Sequence, residues 1–410
     1  MDRQDPKVTQ TDFKLRSVAF EAFGPSIVSS IGHGAVLPVL ALQARHLGAG
    51  VETAALVVAL LSVGQLVTSL PAGAVVARVG ERKMLMLCGF FDCVAMLVAW
   101  QATSVVLLAA AVVLSGATWT GFLLARQGFL IEAVPPSHRA RAMSTLGASH
   151  RVGLFIGPLI GAGVIAWQGL ASVFVLAAVM SLSAATMAGL MRDLGHESRA
   201  EQRAGGHASV SSVLLAHRHT LLTLGVAVIV IGASRSIRGT LLPLWADHVG
   251  MSGSETSLVF AVAAAVDILF FFPGGWLMDH RGRAVVAVPV VLAVALGSLV
   301  LPLATSEPAV LAVAVLIAAG NGLGSGIVMT IGADTAPAVG RSQFLGGWRL
   351  CGDIGATSGP LLISAVTAVA PLAVASLVFG AATLAGTGWV GFWTRRLDRS
   401  RNAEDGLSRR

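Results

Sequence analysis

Apolar stretches of about 20 residues or more, each long enough to cross the hydrocarbon core of a bilayer as a helix, follow one another along nearly the whole chain. Twelve are present, at approximately 18–44, 53–77, 84–101, 105–134, 141–167, 170–191, 219–246, 255–279, 284–304, 308–336, 342–369 and 371–394. In lipid every backbone N–H and C=O must find its partner inside the protein, which for runs of this length leaves the α-helix. The expected fold class is an all-α membrane protein with twelve transmembrane helices. Only 12% of the 410 residues are charged and 55% are apolar, far from the balance of a soluble domain.

The chain is also duplicated. Pro71, Gly73 and Gly80 recur as Pro273, Gly275 and Gly282 at a shift of 202 residues. The same shift relates Glu132 to Asp334, Arg139 to Arg341, Gly153 to Gly355, and Gly157-Pro158 to Gly359-Pro360. Six runs fall in each copy, so the expected architecture is two pseudo-symmetric six-helix halves, the plan of a transporter built from repeats. Residues 1–191 form the first half, 192–218 a polar linker, 219–394 the second half and 395–410 a basic tail.

Lys and Arg in short loops set orientation. Among the loops on the side opposite the termini, only Arg45 is basic, so both termini are expected in the cytoplasm and the protein in the plasma (inner) membrane of a bacterium. Residues 1–16 are polar and lack a cleavable apolar core, which makes the first run an uncleaved anchor. The basic tail reads as a topology determinant facing anionic lipid. Cys88, Cys93 and Cys351 lie inside apolar runs and imply packing rather than disulfides or metal binding. No metal, cofactor or nucleic-acid partner is expected. The partners are a small-molecule substrate, protons and the bilayer, and the chain is expected to act as a monomer.

The duplicated turn carries Gly73, Arg78 and Gly80 in the first copy and Gly275, Asp279, Arg281, Gly282 and Arg283 in the second. It resembles the Gly-x-Leu-x-Asp-Arg-x-Gly-Arg-Arg signature of the major facilitator superfamily, with Ala77 in place of the acid in the first copy. Glycines permit a tight turn and close helix approach. The resemblance implies a latch on the cytoplasmic side, with Glu132, Arg139, Asp334 and Arg341 as ion-pair partners tying one half to the other. In the fifth run, Gly153, Gly157, Pro158, Gly161 and Gly163 lie at spacings that bring helices together in lipid. Close packing alone accounts for such a run. It is also similar to the superfamily's antiporter motif, which implies proton-coupled export of the drug:H+ antiporter type.

Charges at membrane depth are costly and normally face a cavity or a partner. Asp267 lies about 18 Å from either end of its run at 1.5 Å per residue. Arg235 and Arg238 are three apart and share a helix face; Arg349 and Asp353 are four apart and reach one another along one helix. Arg151 occupies the repeat position of Asp353. A transported proton needs a carboxylate that alternates between ionised and neutral, with a movable cation beside it. Asp267, beside Arg235 or Arg238, is the first candidate and Asp353 the second; for each, a fixed structural pair is the competing reading. His33 and Asp92 are weaker candidates. The superfamily resemblance implies a cavity lined by the first, fourth, seventh and tenth runs, which supply His33, Trp119, Trp245 and Asn321. Few polar groups lie there, which suits a small hydrophobic or amphipathic compound better than a sugar.

The expected function is therefore proton-coupled efflux of such a compound by alternating access, with an importer or uniporter as the alternative. A membrane-embedded enzyme or receptor is remote: no nucleophile, base and metal-ligand set converges in the sequence.

Overall fold

The computed structural model describes residues 19–191, 210–337 and 341–408. Among these residues the chain is helical, with no strand. In the first half, α1 (Ala19–Val36) bends by 41° at Leu37–Val39 and continues as Leu40–His46. It is followed by α2 (Val51–Val79), α3 (Glu81–Trp100), α4 (Val105–Ala133), α5 (Pro136–Gln168) and α6 (Ser172–Gly189). A short helix at Val210–Ala216 leads into the second half: α7 (Arg218–Val249), α8 (Gly253–Arg281), α9 (Ala284–Leu303), α10 (Glu307–Thr335), α11 (Arg341–Thr367) and α12 (Leu372–Ser408). α7 is interrupted at Ile237, near the repeat position of the bend in α1, and α10 at Gly324–Gly326, where Gly326 has φ +88°.

Every expected run is a helix. Ten are long and apolar enough to span a membrane, and α1 with its bent continuation is an eleventh. α11, 27 residues long, falls short in apolarity because it carries Arg349 and Asp353 on a segment packed between α2 and α7. Most of the expected linker, 192–209, lies outside the described residues. α12 continues without a break from the membrane run through the expected tail to Ser408.

Packing repeats between the halves. α1 lies on α5 as α7 lies on α11; α2 lies on α4 as α8 lies on α10; α3 lies on α6 as α9 lies on α12. Glycine makes the closest of these contacts possible, because in lipid small residues let backbones touch. A Cβ on Gly157 would fall 2.4 Å from the Ile31 carbonyl oxygen, and one on Gly355 2.3 Å from that of Ile229. The halves meet along α2·α11 and α5·α8.

The two ends of the bundle differ. At the end remote from the termini one apolar cluster runs through both halves, whereas at the other end each half has its own. The joined end is pinned symmetrically. Ser364 Oγ donates to the Glu52 carbonyl (2.8 Å) and Ser254 Oγ to the Ala162 carbonyl (2.9 Å), two bonds that the 202-residue repeat exchanges. Between them Arg45 Nε donates to Asp247 Oδ2 at 3.0 Å, and these two residues are themselves repeat equivalents.

Candidate transport site

Asp267 is carried to the interface between halves because α8 packs on both α10 and α5. The α8–α10 contact depends on Gly322, whose Cβ would fall 2.5 Å from the Asp267 carbonyl oxygen. Leu269 and Phe272, on the opposite side of α8, are 70% and 73% exposed and form the lipid face. The Asp267 carboxylate therefore points into protein.

Two guanidinium groups flank it. Arg151 Nη1 of α5 lies 3.6 Å from Oδ1, and Arg238 Nη1 of α7 lies 3.5 Å from Oδ2; all three side chains are 14–16% exposed. Neither contact is a hydrogen bond, and Asp267 Oδ1 and Arg238 Nη1 have no hydrogen-bond partner. Arg151 also donates to Ser325 Oγ of α10 and stacks 4.7 Å over Phe271, while Arg238 lies 5.8 Å over Phe260. The Arg151–Asp267 pair crosses between halves; the Arg238–Asp267 pair stays within one. Arg235, one turn before Arg238, senses both charges but forms no hydrogen bond or ion pair with Asp267. Of the two arginines expected beside Asp267, Arg238 makes the contact, and Arg151, expected only as the counterpart of Asp353, joins it.

Asp353 behaves as the spacing predicts. Arg349 Nε is 4.0 Å from its Oδ2, along one helix. Asn321 is 5% exposed with Oδ1 unpartnered, one turn from Ser325 on α10. Trp245 lies in the apolar cluster of the joined end rather than beside Asp267: it is 3% exposed, and its indole donates to the Ala304 carbonyl (2.8 Å) at the α9–α10 connection.

His33 and Trp119 sit inside the first half, stacked with ring centroids 3.9 Å apart, and His150 lies 5.6 Å from the same indole. His150 Nδ1 is 2.7 Å from Ser30 Oγ. Asp92, 6% exposed, accepts from Ser115 and Ser181, both at 2.6 Å, which ties α3 to α4 and α6. Arg126 of α4 is the residue the sequence undervalued. It is 8% exposed, donates to Ser26 Oγ of α1 (2.9 Å), has no carboxylate partner, and repels Arg349 electrostatically. Its position close to the end of a long run concealed its burial.

The signature turns keep their backbone role. Gly80 and Gly282 adopt φ +93° and +97°, which glycine alone does without strain. Gly73 and Gly275 meet nothing within 4 Å, so they do not mediate helix approach; the neighbour Gly274 does, at 2.2 Å from the Leu323 carbonyl oxygen. Arg283 Nε donates to Asp334 Oδ2 at 2.7 Å, and Nη2 approaches Oδ1 at 3.4 Å. This pair lies within the second half, and Asp334 makes a further interaction besides it. Arg78, Asp279 and Arg281 are exposed, and Glu132 is half-buried with interactions of its own. The side chains of Arg139 and Arg341 lie outside the described residues.

Gly153 and Gly157 of the fifth-run motif press on α1, and Gly355 and Gly359 press equally on α7. Gly161 sits tightly against α1, where a Cβ would fall 3.3 Å from Ala35 Cβ, and Gly163 meets nothing. Pro158 lies inside α5.

The sequence profile of the Major Facilitator Superfamily matches residues 26–234 and 224–409, one match per half. The chain belongs to this superfamily. It is thus an integral membrane protein of this superfamily. It is 24% identical over 267 residues to Multidrug resistance protein 2 of Bacillus subtilis (strain 168), a match covering 62% of this chain and 65% of that protein, just under two thirds of the relative's length. Superfamily-type transporters of known structure share the fold. A POT family transporter in complex with 5-aminolevulinic acid aligns with TM-score 0.74 at 12% identity, over 93% of this chain and 96% of that one. The nucleoside transporter NupG aligns with TM-score 0.72 at 12% identity over 91% and 98%. A bacterial homologue of the human lysosomal transporter Spinster, in an inward-facing and unoccupied conformation, aligns with TM-score 0.68 at 16% identity over 93% and 96%.

Proposed function

We propose that this superfamily member exports a small, largely apolar compound in exchange for protons, with Asp267 as the proton-carrying group. The observation that carries the reading is the Arg151–Asp267 pair, which crosses between the halves inside the bilayer. Protonating Asp267 removes the attraction that holds α8 to α5, so a proton changes the balance between two arrangements of the halves. Alternating access requires such a bias. Export is supported by the glycine-proline run of α5 and by the name of the Bacillus relative. With the termini in the cytoplasm of a bacterial cell, as the loop charges favour, the joined end faces outward and the molecule opens inward.

The charge count narrows the exported compound. Arg151, Arg235 and Arg238 surround one carboxylate, so a lipophilic cation meets net repulsion and an uncharged compound is favoured. A second reading follows from the same excess. An amphipathic anion would take the arginines from Asp267, and anion and proton would then bind together instead of displacing one another. That linkage describes uptake by co-transport.

Proton flux in proteoliposomes tests both. Under the first reading, adding a neutral substrate releases protons from the site and flux falls to background in Asp267→Asn. Under the second, adding an amphipathic anion draws protons in. Substrate flux of equal size in both proteins at every pH would sink proton coupling through Asp267.

A further inference from the structure

We propose that an anionic phospholipid binds where α12 leaves the apolar layer, its phosphate held by Arg395, Arg396 and Arg399 and an acyl chain lying between α9 and α12. A groove of about 710 Å³ occupies this place, floored by Val288 of α9 and by Leu384, Gly388 and Gly391 of α12. These α12 positions continue through Arg395 and Arg399 at steps of three and four residues, one stripe along the helix. Two glycines shape the groove. A Cβ on Gly391 would lie 3.1 Å from Val288, so this glycine brings the helices together, whereas one on Gly388 would meet nothing within 4 Å, so this glycine leaves the hollow.

The arginines are exposed, and among the described residues none has a carboxylate partner. Arg396 lines the groove and lies 5.4 Å over Trp393. The acid in the same turn is committed elsewhere: Asp398 accepts from the backbone N–H of Arg283 (2.8 Å) and of Ala284 (2.9 Å), capping α9 and fixing the turn that presents the arginines. Guanidinium groups match phosphate oxygens in geometry as well as charge. Leu384 and Phe392, 42% and 61% exposed, join the groove to the lipid-facing surface. The arginines begin where the apolar run ends, at headgroup depth. A soluble phosphate would need only the arginines; the apolar groove continuous with lipid favours a phospholipid.

Native mass spectrometry of the full chain with equimolar phosphatidylglycerol and phosphatidylcholine tests the site. Wild type retains phosphatidylglycerol about tenfold or more over phosphatidylcholine, given the attraction each basic residue adds near an anionic headgroup. The preference disappears in the triple variant Arg395→Gln, Arg396→Gln, Arg399→Gln. Gly388→Leu fills the hollow while keeping every arginine, and it too lowers retention. Equal retention of the two lipids by wild type, or an unchanged preference in the triple variant, overturns the proposal. So does full retention in Gly388→Leu, which would mean charge attraction without a groove. Displacement of the lipid by millimolar inorganic phosphate would reassign the arginines to a soluble anion.

Discussion

Neutralising Asp247 tests how the joined end is held. Arg45 Nε and Asp247 Oδ2 are 3.0 Å apart, on opposite halves, with side chains 36% and 35% exposed. Coulomb attraction at that distance is about 1.4 kcal/mol in water. Side-chain ordering and salt reduce exposed pairs to about 0.2–1 kcal/mol, and the close geometry places this one at roughly 0.5–1 kcal/mol. Asp247→Asn should therefore raise the population opened at this end about two- to fivefold relative to the closed one. Spin labels at Val106 and Val369, 79% and 88% exposed on opposite halves near this end, report the opening by pulsed electron paramagnetic resonance. The three native cysteines are first replaced by serine. Because the two residues occupy repeat-equivalent positions, the exchange Arg45→Asp, Asp247→Arg should return most of the closed population. The return is incomplete, since Arg45 Nη1 also donates to the Ala49 carbonyl at 2.8 Å. A distance distribution unchanged by Asp247→Asn, or an exchanged protein as open as the single variant, would refute the latch.

Further expectations concern packing and the opposite end. Gly322→Val drives a side chain into the Asp267 carbonyl 2.5 Å away and should lower stability by about 1–3 kcal/mol, as overpacking does. Gly163→Ala, which meets nothing within 4 Å, should be neutral or stabilising by up to about 1 kcal/mol through helix propensity; thermal unfolding in detergent compares the two. Arg283→Ala removes the 2.7 Å ion pair with Asp334 and should cost stability toward the lower end of the roughly 3–5 kcal/mol seen for broken buried pairs. Its effect should appear as faster proteolysis at the α8–α9 turn, and unchanged cleavage would argue against the pair as a support of that turn.

Much of the architecture was legible in the linear order of residues. Run length and apolarity placed the twelve long helices, though not the short one at Val210–Ala216, because in lipid a chain has no other way to satisfy its backbone over such distances. The 202-residue repeat fixed which contacts must come in pairs, down to the serine bonds that mirror one another at the joined end. Arg349 and Asp353 met as their four-residue spacing requires, since a helix alone sets that contact. The presence of Asp267 at mid-membrane was equally a property of its position in the run.

Its partners were legible only in part: Arg238 was expected beside it, but Arg151, and the Ser325 that Arg151 holds, come from α5 and α10, and only the rotation and crossing of those helices bring them to α8. The same reason separates Gly274, pressed on Leu323, from Gly275, which touches nothing: one residue along a helix turns the side chain by about 100°. Trp245 packs at the joined end against the Ala304 carbonyl, and Arg283 reaches Asp334 of its own half, neither of which spacing along the chain could specify. Sequence determines where a charge sits along a helix, while tertiary packing decides which face meets which neighbour and hence which charges can pair.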